Sequence, residues 1–523
     1  MTKKNQNRRE FIKTSAAGLA AIALFRNAKG EITIGDGEPF PELVEITIPA
    51  LQGKMRSGQL TARRLTEMYL ERIKQVDSKT RSVLEINPDA LAIADRMDKE
   101  RKRGKVRSML HGIPVLIKDN IDTADRMQTT AGSLALVDAP TPKQDAFVAE
   151  QLRKAGAVII GKTNLSEWAN FRGNRSISGW SGRGGQTNNP YFLDQNPCGS
   201  SSGSGVAVSA NLAAAAVGTE TNGSIICPAL TNGVVGIKPT LGLVSRTGII
   251  PIAHTQDTAG PMARTVTDAA ILLSAMVGHD KEDAITIDAR KAAKDYTKFL
   301  EADGLKGARL GLVLQYLPRQ NTEQIKAYYQ PFIDALRSAG ATLVDVTFTP
   351  DYSQIGNDRT SVLQYEFKTD LNKYLAGRGA KYKTLEDLIK FNDENKDKEL
   401  PKFGQELFVD SQKKGDLTEK AYLDSLAKIK KATRDDGIDA VLAKDKLDGL
   451  VGPTNGAMWS IAAVAGYPFI TVPLGLRENT ATGMAFFGRP FSEPQLIKYA
   501  YAFEQKTKGR ITPQFLPSYP KKA

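Results

Sequence analysis

Apolar positions fall into three textures along the chain. Between residues 40 and 110 they recur at helical spacing: Leu65, Tyr69, Ile73 and Val76 share one face, and Thr61 stands where a helix N-cap belongs. Pro88 followed by Asp89 through Met97 predicts a second helix. From His111 the pattern switches. Short β-branched runs, Pro114–Ile117 and Ala157–Ile160, alternate with helical stretches such as Phe147–Ala155. That alternation predicts an α/β fold. Residues 172–205 are rich in Gly, Ser and Asn and read as loop. Residues 280–440 are charged and helical, with strands expected near Leu310–Leu314 and Thr342–Phe348. Apolar texture with Gly and Pro returns after Val451. With no internal repeat and no low-complexity linker, the expectation is one large domain over 30–523. Its parts are a helical section (40–110), a core (111–280), a helical insertion (280–440) and a C-terminal section (440–515).

Composition narrows the chemistry. The 523 residues are 41% hydrophobic and 25% charged, ordinary for a globular chain. There are three histidines, His111, His254 and His279, and two cysteines, Cys198 and Cys227. These counts exclude a disulfide-stapled scaffold and any zinc site built on three or four cysteines. There is no HExxH, and a histidine base has only three sources. The net charge is 71 − 58 = +13, which alone would suggest an acidic partner. Seven basic residues and one acid, Glu10, lie in the first thirty, so +6 of the +13 is there. An apolar run from Ala16 to Phe25 follows; it falls short of the roughly 20 apolar residues that span a bilayer. The order Arg8-Arg9, Phe11-Ile12, apolar run has the form of a twin-arginine export signal over 1–29. That implies an exported, periplasmic bacterial protein with no stable membrane span. The remaining charge, 13 − 6 = +7, gives no reason to expect nucleic acid as a partner.

Two motifs fail on physical grounds or stay open. Gly156 through Thr163 matches the phosphate-loop expression, but its middle residues are Ala, Val, Ile and Ile. Those favour a buried strand rather than a nest of amides around phosphate. Gly199-Ser200-Ser201-Ser202-Gly203 fits the nucleophile-elbow pattern centred on Ser201, yet Asp194 to Cys198 before it is no strand. The stretch Pro197–Arg264 is the most informative. Its first loop carries hydroxyls at Ser200, Ser201, Ser202 and Ser204; an Ala-rich run leads to a second loop, Gly218 to Ala229. Small residues packed this densely let backbone amides converge on one point, as an oxyanion site requires. A hydroxyl nucleophile also needs a base. Lys118 directly follows an apolar strand, and a lysine buried there loses its charged form more easily. The residues alone rank neither serine over the others.

These segments resemble the amidase signature family of serine hydrolases. The matching stretches are GIPVLIKDNID, GAVIIGKTNLSEWA, the GSSSGSG loop, GTETNGSIICPALTNGVVGIKPTLGLVSRTGIIP, QDTAGPMARTVTDAA, AGYPFITVPLG and FGRPFSEPQLIKYAYAFEQ. They cover about residues 60–280 and 440–515. The resemblance implies a large mixed central sheet covered by helices on both faces. It also implies a Ser–cis-Ser–Lys triad, with Lys118 as base, Ser200 as the bridging serine and Ser224 as nucleophile, no metal and no cofactor. Amides of Thr221, Asn222, Gly223 and Ser224 would hold the oxyanion. The chain departs from the family where Gly-Gly-Ser becomes Asn222-Gly223-Ser224 and the usual Asp is Glu220. Where many relatives carry an arginine after the nucleophile, Ile226 and Cys227 stand, implying a neutral or apolar acyl group rather than a dicarboxylic one. The variant motifs look closest to bacterial peptide amidases, which remove C-terminal amides. The alternatives are the amidase-type component of a transfer-RNA-dependent amidotransferase and a fatty or aryl amide hydrolase. Cys198 and Cys227 flank the two loops and are expected as small packing residues, with a disulfide between them the alternative in an oxidising periplasm.

Overall fold

The computed structural model describes residues 40–316, 322–349 and 352–519; the expected export signal lies outside them. The Thr61 cap forms: its Oγ1 accepts from Arg64 N at 3.0 Å. The helix Ala62–Thr80 behind it buries Leu65, Tyr69, Ile73 and Val76. A second helix, Ala90–Lys102, starts after Asp89. Between them lies a strand the periodicity does not announce, β1 (Val83–Ile86). Four residues are too few to show a period, and antiparallel pairing with a distant strand sets it.

An eleven-stranded sheet runs through the molecule. Its strands are β1, β2 (Pro114–Lys118), β3 (Val158–Thr163), β4 (Ala215–Glu220), β5 (Val235–Lys238), β6 (Thr258–Ala263), β7 (Arg309–Val313), β8 (Thr342–Val346), β9 (Gly449–Pro453), β10 (Phe469–Arg477) and β11 (Thr480–Phe487). The spatial order is β1-β3-β2-β4-β6-β5-β10-β11-β9-β7-β8. It is mixed: β2 runs parallel to β3 and β4, while β6 is antiparallel to β4 and β5. Helices flank the sheet, so β2, β3 and β4 are buried along their whole length. Their near-continuous apolar runs are what a parallel strand covered on both faces requires. The false phosphate-loop match is β3, and Lys162 within it donates to Ile121 O at 2.6 Å and Thr129 Oγ1 at 2.9 Å.

The two strands expected within 280–440 are β7 and β8, and they extend the central sheet. After them come helices, chiefly Gly356–Arg378, with a satellite core of Phe367, Leu371, Leu375, Leu388 and Phe408. This layer is pinned to the rest by a buried ionic group. Arg172 pairs with Glu167 and lies 3.7 Å from Glu399 of the layer, all three side chains fully buried. Burial, and then the charge of Glu399, pushes the Glu167 carboxyl well above its ordinary pKa. Among the described residues no helix is long and apolar enough to cross a membrane.

Candidate active site

Lys118 is the last residue of β2, and β4 runs parallel beside it with Ile117 opposite Val217. The C-terminal ends of both strands therefore open at one place, where open α/β sheets tend to hold ligands. Lys118 Nζ donates to Ser200 Oγ at 2.7 Å, Thr219 Oγ1 at 2.9 Å and Thr219 O at 3.3 Å. Its side chain is fully buried. Burial disfavours the ammonium and lowers the pKa to about 7, although the charges of Asp257 and Glu220 pull the other way.

The four hydroxyls of the first loop have separate duties. Ser200 alone meets the lysine, and the Gly199–Ser200 peptide bond is cis, as the family resemblance implies. Ser201 Oγ donates to Thr219 O at 3.0 Å and accepts from Thr219 N at 3.1 Å. Ser202 Oγ donates to Cys198 O at 2.6 Å, and Ser204 Oγ to Val217 O at 3.1 Å. Gly218 makes room for this: a Cβ there would lie 2.8 Å from Ser201 Oγ. The helix that follows, Ser202–Ser209, is buried at every position, which only its small residues permit.

Ser224 lies on the turn between β4 and helix Ile226–Thr231, nearly buried at 7% exposure. The two loops are joined where Ser201 N donates to Ser224 O at 3.0 Å. No hydrogen bond links the Ser224 hydroxyl to Ser200 among the described residues. Glu220 shapes the turn: its Oε2 accepts from Ile225 N at 2.8 Å and Ile226 N at 3.0 Å. Gly223 sits at φ +81°, and a Cβ on it would meet Trp459 Nε1 at 2.5 Å. Asn222 Oδ1 accepts from Ser460 Oγ at 2.8 Å. The backbone N–H groups of Thr221, Asn222 and Ser224 make no hydrogen bond within the described residues.

Residues that the sequence reading did not single out complete the site. Asp257, in the quoted QDTAGP stretch, accepts from Thr221 Oγ1 at 2.5 Å and from the amides of Ile252 and Ala253 at 2.7 and 2.8 Å. Burial raises its pKa to about 6. Asn120 Nδ2 donates to Thr219 Oγ1 at 3.0 Å. Trp459 and Ser460 come from the C-terminal section. Apart from the local turn that Asp257 closes onto Ile252 and Ala253, these contacts depend on strand register or on a helix hundreds of residues away.

The cysteines correct an expectation. Cys198 and Cys227 are not separate packing residues but a disulfide, Cα–Cα 5.8 Å across 29 residues of sequence. The helices Ser202–Ser209 and Ile226–Thr231 pack against each other with Gly205 against Pro228. Their leading turns thereby bring the two sulfurs within bonding reach.

A cleft of about 640 Å³ opens at this edge, with Asn120, Thr219, Glu220, Thr221 and Asp257 on its wall. Across it stand Tyr374 and Arg378 from the helix Gly356–Arg378. None of the three histidines touches Ser200 or Ser224. His111 bonds Met97 O at 2.9 Å, and His279 sits with Thr286 and Arg290. His254 lines the cleft and bonds Asp370 at 2.8 Å. Burial works to lower its pKa, but Asp370 and Glu366 outweigh that and raise it. The ligand atoms of His254, Glu366 and Asp370 lie within 4.8 Å of one another. They are already bonded: Glu366 takes Tyr422 OH at 2.8 Å and Thr255 N at 3.0 Å.

Comparison with known proteins fits this geometry. The family model Amidase matches residues 64–461. A probable amidase of Arabidopsis thaliana is 42% identical over 484 residues, covering 90% of this chain and 92% of that one. A glutamyl-tRNA(Gln) amidotransferase component from Thermoanaerobacter pseudethanolicus is 32% identical, covering 90% and 99%. The native peptide amidase of Stenotrophomonas maltophilia superposes with TM-score 0.86 at 48% identity, covering 91% and 100%. A peptide amidase in complex with the competitive inhibitor chymostatin gives TM-score 0.87 at 48% identity, covering 90% and 99%. The chain belongs to the amidase signature family and is a hydrolase acting on amide bonds.

Proposed function

We propose that this protein hydrolyses the C-terminal carboxamide of a peptide, or a similar small amide, to the acid and ammonia through a serine acyl-enzyme. Lys118 is the base, Ser200 the bridging hydroxyl and Ser224 the nucleophile. The observation that carries this reading is the buried 2.7 Å contact between Lys118 Nζ and Ser200 Oγ, on the loop tied to Ser224. With a pKa near 7, a large share of Lys118 is neutral at neutral pH and holds a free lone pair. That lone pair takes the proton of Ser200. Ser200 takes the proton of Ser224 as Ser224 Oγ bonds to the amide carbon. For that step the Ser224 hydroxyl turns onto Ser200; such contacts often tighten only with substrate bound. The amides of Thr221, Asn222, Gly223 and Ser224 hold the resulting oxyanion. The C–N bond then breaks, and nitrogen leaves as ammonia with the proton returned through Ser200. Water attacks the ester by the same relay and releases the acid.

The likeness to peptide amidases at 48% identity supports the peptide substrate. The test is ammonia release from amidated peptides, fatty amides and aryl amides. We expect peptide amides to be turned over fastest, and Ser224→Ala to lose about 10⁴-fold or more. Full activity in Ser224→Ala would overturn the assignment. The amidotransferase relative supports a second reading, a component of a larger assembly that draws ammonia from glutamine. Turnover of glutamine only with a partner protein would favour it. Residues 1–29 are proposed to direct export to the periplasm; a mature chain found only in the cytosol would contradict this.

A further inference from the structure

The cleft wall built by the helix Gly356–Arg378 has an unusual charge balance. Most of the carboxylates on the cleft are engaged. Asp283 is held by Arg246, Asp370 by His254, and Asp145 by Arg153. Asp122 accepts from Tyr374 OH at 2.9 Å, and Asp257 from Thr221. Only Glu282, at the exposed rim, has a carboxylate with no hydrogen bond or ion pair among the described residues. Three cations on the same cleft have no carboxylate within ion-pair distance among the described residues: Lys143, Lys373 and Arg378. The lysines are exposed, and water satisfies them. Arg378 is different. It is 8% exposed, its Nη1 donates to Pro140 O, Tyr374 and the charge of Asp122 lie beside it, and its Nε and Nη2 are buried without a hydrogen-bond partner. A guanidinium buried with two donors unsatisfied is costly unless an anion completes it. Its Nε and Nη2 form the planar edge that takes a carboxylate through two parallel hydrogen bonds.

We infer that this wall is a carboxylate subsite, with Arg378 reading an acidic group on the acyl portion of the substrate and Lys143 and Lys373 attracting it. The inference rests on the amide-hydrolase reading above and adds a substrate class to it. It confines the neutral acyl character expected from the sequence to the part next to the scissile amide. Ile226 and Cys227 follow Ser224 on the nucleophile turn, whereas Arg378 is on the insertion helix. The acidic group therefore belongs further along the acyl chain.

The test compares kcat/KM within pairs of substrates. One series is N-acetylated amidated peptides with Glu or Gln at successive positions from the amide. A second is simple aliphatic amides ending in a carboxylate or its methyl ester. For wild type we expect the acidic member to win by about tenfold at one position, the scale of a charge-assisted bidentate contact. Arg378→Met should bring that ratio close to one by slowing only the acidic member, and Arg378→Lys should keep part of it. A wild-type ratio near one at every position, or an unchanged ratio in Arg378→Met, overturns the subsite. If Arg378→Met melts early, the wild-type ratio and Arg378→Lys decide alone. If simple amides are hydrolysed and peptide amides are not, the peptide reading fails while the subsite is still judged on the second series. If nothing is hydrolysed, calorimetric binding of the Glu and Gln peptides decides, and equal affinity overturns the subsite.

Discussion

Two regions build the same site by opposite means. The segment Pro197–Ala229 contributes small side chains, backbone amides and hydroxyls, nearly all buried. The helix Gly356–Arg378 contributes long polar side chains that reach across: Tyr374 to Asp122, Glu366 to Thr255, Asp370 to His254. In the first region strands and a packed helix stand behind the hydroxyls, so Ser200, Ser201, Ser202 and Ser204 are each held by near neighbours with little freedom. In the second, position rests on side-chain pairs at the end of flexible stems. The difference suits chemistry that must be held to fractions of an ångström against recognition that can vary.

The sharpest break in the comparison is at Lys118. Lys118→Met should leave the small-residue region folded and lower kcat/KM by about 10³-fold, the loss expected for a general base. In wild type, kcat/KM should rise with pH through about 7 and level off above, because the working form is the deprotonated amine and burial lowers the pKa to about 7. A flat profile between roughly pH 5 and 9 would remove the lysine base.

The next effect is on stability, in the joint between the helical layer that carries the second region and the rest of the molecule. Arg172→Met leaves Glu167 and Glu399 buried together without their cation. Removing one partner of such a group costs about 3–5 kcal/mol, read as a lower denaturation midpoint. An unchanged midpoint would mean the helical layer is not held there.

The covalent tie comes third. Replacing both Cys198 and Cys227 by Ser should cost about 3 kcal/mol, as expected for closing a loop of this length. If the loops are positioned by packing, activity per folded molecule stays close to wild type. A large fall in kcat at unchanged KM would show that the bridge itself holds the serines in place.

The smallest change tests the second region. Tyr374→Phe deletes the donor to Asp122 and should cost about 1 kcal/mol. It should raise KM with little change in kcat, since the helix shapes the cleft and not the reacting atoms. A matching fall in kcat would erase the division between the regions.

How much of this was legible follows the same division. Helix Ala62–Thr80, its Thr61 cap and the strands around Lys118 were readable because cap chemistry and buried apolar runs are local. Strand β1 was not, since it forms only against β3. Lys118 stood out as a lysine at the end of an apolar strand, while Ser200 and Ser224 were expected only through the resemblance to the amidase signature family. The cysteine pairing was only the lesser alternative because 29 residues of sequence separate the two, and helix packing closes that gap. Arg378 sits in the stretch that matches no motif, where sequence offers charge but no direction.

The sequence by itself determined which groups are available: a lysine at a strand end, a run of hydroxyls among glycines, scarce histidine and two cysteines. It did so because propensity, burial and side-chain chemistry are properties of short segments. Only the tertiary structure decided which serine meets the lysine, that Thr219 and Asp257 stand beside them, and that Arg378, with two donors unsatisfied, lines the same cleft. Those facts depend on strand register and helix packing between residues up to hundreds of positions apart, and no local pattern encodes them.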